Sequence, residues 1–293
     1  MSNKQLFLLL LLSFLWGLAF LFSGIAVREL HPLYVALLRV GLAALVLLPF
    51  LLYIFGFPKT VNAWLPFIGM GILNNVIPFT LIFFAQTKIT VGLSSILNSF
   101  TPITTFIVLS VFSSENLTIN KITGSILGGC GVILLLGLDP LSDLPNFTGI
   151  ILVLIATLSY GFAGLWGKRY LAEVSPLQSA TCQLISSSVV LAVIVGIIAP
   201  PIPTADISIH TIIMVVLLAV LSTALAYIVF FKILTVSGAG NVMLVTLLIP
   251  IWGCLFGWMF LEEALNFNQF FGACIIGLSL IIIDGRLLKK IRR

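Results

Sequence analysis

The chain has 293 residues, of which 60% are hydrophobic and 8% are charged, with a net charge of +5. A soluble domain needs roughly 25% charged residues to cover its surface, so this composition excludes a soluble enzyme or binding module. The few basic residues flank apolar runs instead of forming a patch, and this pattern excludes a nucleic-acid-binding surface.

Ten apolar runs are long enough to cross the hydrocarbon core, which takes about 20 helical residues. The first run follows Lys4 and is too long for the core of a signal peptide, so it is predicted to be retained. The predicted spans cover residues 5–27, 32–55, 64–86, 91–113, 119–138, 147–167, 176–199, 208–231, 238–260 and 267–285. The chain is therefore predicted to be an all-α integral membrane protein with ten transmembrane helices. Its loops are too short to hold a folded domain.

Positive charge is distributed unevenly over the predicted loops. The side that carries both termini holds Lys4, Lys59, Lys121, Lys168, Arg169, Lys232, Arg286, Lys289, Lys290, Arg292 and Arg293. The other side holds only Arg28 and Lys88. Since loops rich in Lys and Arg stay in the cytoplasm, both termini are predicted to be cytoplasmic in a bacterial-type inner membrane.

The two halves of the chain resemble each other. A shift of 144 residues superposes Gly17/Gly161, Glu29/Glu173 and Pro32/Pro176, and a shift of 148 superposes Gly92/Gly240, Pro102/Pro250 and Glu115/Glu263. The sequence therefore predicts two five-helix repeats, at residues 1–140 and 146–293. Because five is odd, the second repeat must have inverted topology. Inverted repeats are typical of secondary transporters, whose substrate site lies near the midplane between the halves.

Short motifs accompany this duplication. The first span contains Ser13–Gly17 (SFLWG), the second begins with Pro32–Arg39 (PLYVALLR), and in the fourth and ninth spans a central proline precedes a glutamate by 13 residues. In this order the chain resembles the EamA family of the drug/metabolite transporter superfamily, over essentially its whole length. The resemblance implies a central cavity and transport, often export, of amino acids, related metabolites or toxic amphiphiles.

The predicted function is alternating-access transport of small metabolites, such as amino acids or related amphiphiles, across the cytoplasmic membrane, in the export direction. One alternative is a transporter of phosphorylated or nucleotide-linked substrates, which would need several basic residues in the cavity. A membrane-embedded enzyme would need nucleophiles or metal ligands clustered at depth, and no such cluster is apparent. The chain is thus predicted not to be an enzyme and to need no cofactor or metal. Its expected partners are a small-molecule substrate and lipid, and a monomer is compatible with this function.

Candidate cavity residues are polar or aromatic side chains near the middle of spans. They are Trp16, Phe20, Asn74, Asn75, Phe79, Asn98, Thr101, Tyr160, Thr223, Tyr227 and Thr246. Asparagine is costly against lipid, which favours a cavity position for the adjacent Asn74 and Asn75. For Asn98 and Thr101, hydrogen bonding between helices is an equal alternative. The aromatic residues could be core or the apolar walls of a substrate pocket.

Three further residues have candidate roles. Pro102 and Pro250 lie near the centres of their spans, where a proline frees a carbonyl and kinks the helix. Each is predicted to be either a packing kink or a hinge beside the cavity. Arg39 is the one basic residue well inside a span, and Gln183 occupies its place in the second half. Arg39 is predicted either to hold backbone carbonyls or Glu29, or to contact a substrate carboxylate.

Overall fold

A computed structural model describes residues 3–113, 119–136, 144–201, 207–237 and 245–284, which form helices joined by short turns and connections. The helices are α1 (Asn3–Ala26), α2 (Pro32–Ile54), α3 (Val61–Gly71, Ile72–Val76 and Ile77–Gln86), α4 (Val91–Asn98 and Thr101–Phe112), α5 (Ile119–Leu136), α6 (Leu144–Tyr170), α7 (Pro176–Ile198), α8 (Ile209–Ala219, Val220–Leu225 and Ala226–Ser237), α9 (Val245–Leu261) and α10 (Phe267–Asp284). Seven of these helices are long and apolar enough to cross a membrane, and α5, α9 and α10 contain shorter apolar helices. The chain is an all-helical, multi-pass membrane protein.

Local sequence explains where several helices begin. Proline occupies the first turn of α2 and α7, where its missing N–H is not needed. The side chains of Thr60, Thr90 and Ser208 accept hydrogen bonds from the backbone N–H three residues later, at the starts of α3, α4 and α8. These are N-caps, which satisfy donors that the helix itself leaves free.

Helices α3 and α8 are each interrupted by a π-helical segment, Ile72–Val76 and Val220–Leu225. In α3 this segment ends two residues before Pro78, which has no N–H to donate. The carbonyl of Leu73, five residues before it, accepts a hydrogen bond from Ser159 Oγ of α6 at 2.7 Å instead. In α8, Thr223 Oγ1 donates to the carbonyl of Leu218 at 2.9 Å. Such π-bulges occur frequently at functional sites.

The two central prolines behave differently. Helix α4 is interrupted at Ser99 and Phe100, immediately before the segment that begins with Thr101 and Pro102. Pro250 lies inside α9, which continues from Val245 to Leu261 without an assigned break. The structure therefore interrupts the helix at the first proline only, and the hinge role of both stays a prediction.

Helix pairing follows a regular pattern. Helix α1 packs against α8 and α9, whereas α6 packs against α3 and α4; α2 packs on α7, and α5 packs on α10. If each of the first five helices is exchanged with the helix five places later, α1 with α6, α2 with α7 and so on, the same set of helix pairs results. Glycines allow the closest approaches: a Cβ atom on Gly17 would clash with Trp252 of α9, and one on Gly161 would lie 3.0 Å from the Thr104 carbonyl oxygen of α4.

Candidate functional site

A buried polar cluster lies where α2, α3, α7 and α8 meet, at the level of the two π-helical segments. We call it the Arg39 cluster, and it comprises Arg39, Asn74, Asn75, Gln183, Ser187, Thr223 and Tyr227. Burying so many polar groups within a membrane protein is unfavourable unless they are hydrogen-bonded to one another. The π-helical segments bring Asn74, Asn75 and Thr223 into this network.

Arg39 forms the charged part of the cluster. Its Nε donates to Thr223 Oγ1 at 3.0 Å, and its guanidinium carbon lies 3.7 Å from the centre of the Phe79 ring. The side chain is only 9% exposed. Cation–π stacking on Phe79 offsets part of the loss of hydration.

The terminal nitrogens of Arg39 make no hydrogen bond within the described part of the chain, since its one bond comes from Nε. In the same part of the chain it forms no ion pair with a carboxylate. Glu29, considered from the sequence as a partner, is bonded to Ser208 instead. Among the described residues Arg39 thus has no counter-charge and has free terminal donors, and such a guanidinium can bind a carboxylate in bidentate fashion.

The second half of the cluster is neutral and mirrors the first. Gln183 Oε1 accepts from Asn74 Nδ2 at 3.2 Å, and Asn75 Nδ2 donates to Ser187 Oγ at 2.9 Å. Tyr227 donates to Asn75 Oδ1 at 3.3 Å. Arg39 of α2 thus contacts the π-helical segment of α8. Gln183, at the aligned position of α7, contacts the π-helical segment of α3.

The structure brings together some of the predicted cavity residues but not all of them. Arg39, Asn74, Asn75, Thr223 and Tyr227 are hydrogen-bonded members of the cluster, and Phe79 lies under the guanidinium. Tyr160 packs against the same hydrophobic core as Phe79. As binding residues, all of them stay predictions.

The remaining candidates lie on other helices. Trp16 packs against Phe230 of α8, with 5.8 Å between ring centroids, and the Phe20 carbonyl accepts from Gln86. Thr101 bonds locally to the backbone carbonyl of Asn98. The buried side-chain oxygen of Asn98 has no hydrogen-bond partner among the described residues. Thr246 is partly buried near the start of α9.

Sequence reasoning missed two polar groups. Ser187 belongs to the cluster, and its position four residues after Gln183, on the same face of α7, is the signal that could have revealed it. Ser23 and Gln86 form a separate buried pair between α1 and α3, with 2.7 Å between Ser23 Oγ and Gln86 Oε1. In the described ranges, no group of three or more His, Cys, Asp or Glu side chains is arranged to hold a metal ion.

Glu263, one of the two repeated glutamates, joins the two halves of the chain. Its carboxylate oxygens accept from the backbone N–H groups of Val91 and Gly92 at 3.0 and 3.2 Å, at the start of α4. An anionic side chain at a helix N-terminus is stabilising, so this contact ties α9 to α4. The equivalent Glu115 lies outside the described residues.

Comparison with known proteins gives a consistent result. The sequence matches the EamA-like transporter family twice, at residues 3–137 and 147–284. It is 22% identical to the uncharacterized transporter YoaV of Bacillus subtilis over 89% of this chain and 90% of that protein. It is 26% identical to an uncharacterized transporter of Archaeoglobus fulgidus over 96% and 98% of the two chains. A solved crystal structure matches the whole fold with a TM-score of 0.67, at 13% identity and complete coverage of both chains.

Proposed function

This chain belongs to the EamA-like transporter family and is a membrane transporter, and we propose that it moves small carboxylate-bearing metabolites, such as amino acids or related amphiphiles, by alternating access. The observation that carries the substrate class is Arg39, a buried cation with free terminal donors and no carboxylate partner among the described residues. A buried charge inside a membrane protein marks a functional site by default. The aromatic rings around it suit the apolar part of such a molecule.

Alternating access rests on the proposed architecture of two inverted five-helix repeats, residues 1–140 and 146–293, around a central cavity. The two separate family matches support it. So do the interchangeable helix pairs and the π-helical segments at Ile72–Val76 and Val220–Leu225, which begin 148 residues apart, the same offset as in the sequence repeat. A repeat related by a two-fold axis in the membrane plane can pack in two nearly equivalent ways, open to either side.

The proposed orientation places both termini in the cytoplasm of a bacterial-type inner membrane, with export as the direction. It rests on the distribution of Lys and Arg over the loops. Export rests on the family resemblance alone. Phosphorylated substrates are a weaker alternative, because Arg39 is the single cation in the cluster and a phosphate group needs more positive charge to be desolvated.

Uptake by reconstituted protein tests the proposal. A mixture of amino acids, amines, dyes and sugar phosphates is offered to liposomes that contain the wild-type protein, Arg39→Gln, Asn98→Ala or Trp16→Ala. The expected result is protein-dependent movement of carboxylates that Arg39→Gln strongly reduces at sub-saturating substrate concentrations. Movement confined to phosphorylated compounds would favour the alternative. If no compound moves, and the protein instead modifies a lipid, the transport proposal is wrong.

A further inference from the structure

The two ends of the helix bundle carry equivalent parts that are arranged differently. One end contains the α1–α2 connection with Glu29 and the residue before α8, Ser208; we call it the Glu29 end. The other contains the α6–α7 connection with Glu173 and the residue before α3, Thr60; we call it the Glu173 end. The sequence repeat superposes Glu29 on Glu173 and Ser208 on Thr60.

At the Glu29 end the equivalent parts are in contact. The Ser208 N–H donates to Glu29 Oε2 at 2.8 Å, and the Ser208 hydroxyl lies 3.0 and 2.9 Å from the two carboxylate oxygens. Tyr34 adds a second bond between the halves, from its hydroxyl to the Pro200 carbonyl at 2.8 Å. The first half is thus fastened to the N-terminus of α8.

At the Glu173 end the same parts are present but separate. Glu173 and Thr60 are both exposed, and Glu173 makes no hydrogen bond or ion pair within the described residues. The Thr60 side chain caps its own helix, as Ser208 does, by accepting from the Ala63 N–H at 3.3 Å. Leu171 and Val174, which flank Glu173, pack in one cluster with Trp64 and Phe67 of α3. The glutamate and its counterpart donor therefore lie at the same end of the bundle.

Helix packing shows the same asymmetry. Helix α6 packs extensively against Ile77–Gln86, the half of α3 nearer the Glu29 end, and sparsely against Val61–Gly71. Its counterpart α1 packs to a similar extent against Ile209–Ala219 and Ala226–Ser237 of α8. The α3–α6 pair is thus more closely packed at the Glu29 end, whereas the α1–α8 pair is packed along both halves.

We propose that Glu29 and Glu173 are gate residues that fasten opposite ends of the transport path in alternation: Glu29 on Ser208 in the state described here, and Glu173 on the Thr60 N–H and hydroxyl in the opposite state. The inference rests on the proposed alternating-access function. It adds the residues that hold each closed end and states that the two contacts exclude each other. In the proposed orientation, the described state is closed to the outside.

Cross-linking tests the mutual exclusion without a substrate. Cys130, Cys182, Cys254 and Cys274 are replaced, and cysteine pairs are introduced as Glu29→Cys with Ser208→Cys, as Glu173→Cys with Thr60→Cys, and as all four together. A short bifunctional thiol reagent is used, because a cysteine is shorter than the glutamate that it replaces. Each pair alone should cross-link. In the fourfold variant, molecules with both links should be at least about 5-fold rarer than the product of the separate yields, as expected for coupled sites.

A second measurement uses the native glutamate at one end and the cysteine pair at the other. Glu29→Ala should accelerate cross-linking between positions 60 and 173 several-fold, because it weakens the state in which that end is open. Glu173→Ala should likewise accelerate cross-linking between positions 29 and 208. Glu262→Ala, which also removes an exposed carboxylate, should change neither rate.

The possible outcomes separate this inference from the transport proposal. The inference is wrong if doubly linked molecules are as frequent as the product of the two single yields. It is also wrong if Glu29→Ala accelerates cross-linking between positions 60 and 173 no more than Glu262→Ala does. Failure of positions 60 and 173 to link when they are the only cysteine pair, in a variant whose thermal unfolding matches that of the 29–208 pair variant and which is therefore folded, would also overturn it. Transport that persists in these cases leaves the proposed function standing. Mutually exclusive links without any transport would leave only the gate inference.

Discussion

Replacing Arg39 with glutamine places in the first repeat the residue that the second repeat has at the same position. The structure already accommodates a glutamine there, since Gln183 hydrogen-bonds to the adjacent π-helical segment. We therefore expect Arg39→Gln to fold and insert normally. It removes the positive charge and the bond from Nε to Thr223, so a bound carboxylate loses its counter-charge.

The size of the effect follows from the burial of the guanidinium. Truncating one partner of a buried, hydrogen-bonded charge pair costs about 2–5 kcal/mol. Because a transport site opens to water in each half of the cycle, we take the lower part of that range, about 2–3 kcal/mol. At 1.4 kcal/mol per factor of ten, the half-saturating concentration of a carboxylate substrate should rise roughly 30- to 150-fold. Arg39→Lys keeps the charge but loses the planar fork, and it should fall between wild type and Arg39→Gln.

The decisive assay compares a transported acid with its neutral amide in proteoliposomes. Wild-type protein should prefer the acid, and Arg39→Gln should transport acid and amide about equally. Lys88→Gln, which removes a cation from an exposed connection, is the matched control and should keep the wild-type preference. An unchanged preference for the acid in Arg39→Gln would refute the assignment of Arg39 as the carboxylate contact.

Three other predictions follow from the packing and hydrogen bonds. Gly17→Ala should destabilise the protein by about 1–3 kcal/mol, because its Cβ would overlap Trp252. Gly277→Ala should stabilise it by up to about 1 kcal/mol, because the added Cβ meets open space. Thermal unfolding in detergent should show a lower melting temperature for the first variant and a higher one for the second. Asn75→Leu should lower stability by only about 1–2 kcal/mol, since hydrogen bonds between membrane helices average about 0.6 kcal/mol, yet it should abolish most transport in the same liposomes. Hydrogen bonds from Ser208 hold the pKa of Glu29 below its ordinary value of 4.5, so its contact contributes fully above that value and is lost as the pH falls through the lowered pKa. Spin labels at positions 60 and 173 should therefore be close together in a larger fraction of molecules in strong acid than at neutral pH, and Glu29→Ala should remove that pH dependence.

Hydropathy predicted the elements of this fold closely. The predicted spans begin at the first residue of α2, α4, α5, α7 and α10, because proline, N-caps and the ends of apolar runs are local signals. The predicted ends at 138 and 285, and the predicted start at 238, lie outside the described residues. Hydropathy does not distinguish a face that meets lipid from a face that meets another helix, so it could not determine which polar side chains would meet.

The parts that escaped prediction depend on tertiary contacts. Asn74 and Asn75 could be placed at mid-depth, but their link to Gln183 and Ser187 spans more than a hundred residues. The Leu73 carbonyl beside the π-helical segment of α3 accepts a hydrogen bond from a hydroxyl of α6, and the sequence of α3 alone does not reveal that contact. The role of Glu29 was also misplaced, because its partner Ser208 is 179 residues away. In each case the local sequence determines the helix and a remote residue determines the role of its side chain.

The distribution of symmetry in this molecule bears on how a transporter can be both reversible and selective. At the ends, the two gates pair the same carboxylate with chemically similar donors, serine in one case and threonine in the other. Matched gates give the two states similar free energies, and a ligand shifts such an equilibrium only by its differential affinity for the states. At the centre the pairing is unequal, because the guanidinium of Arg39 has only the neutral amide of Gln183 opposite it. A substitution at Arg39 changes which substrate binds. It does not favour the state open to one side over the state open to the other, provided that the substrate contacts Arg39 in both states. Symmetric gates around an asymmetric centre therefore allow substrate choice to vary independently of the conformational cycle.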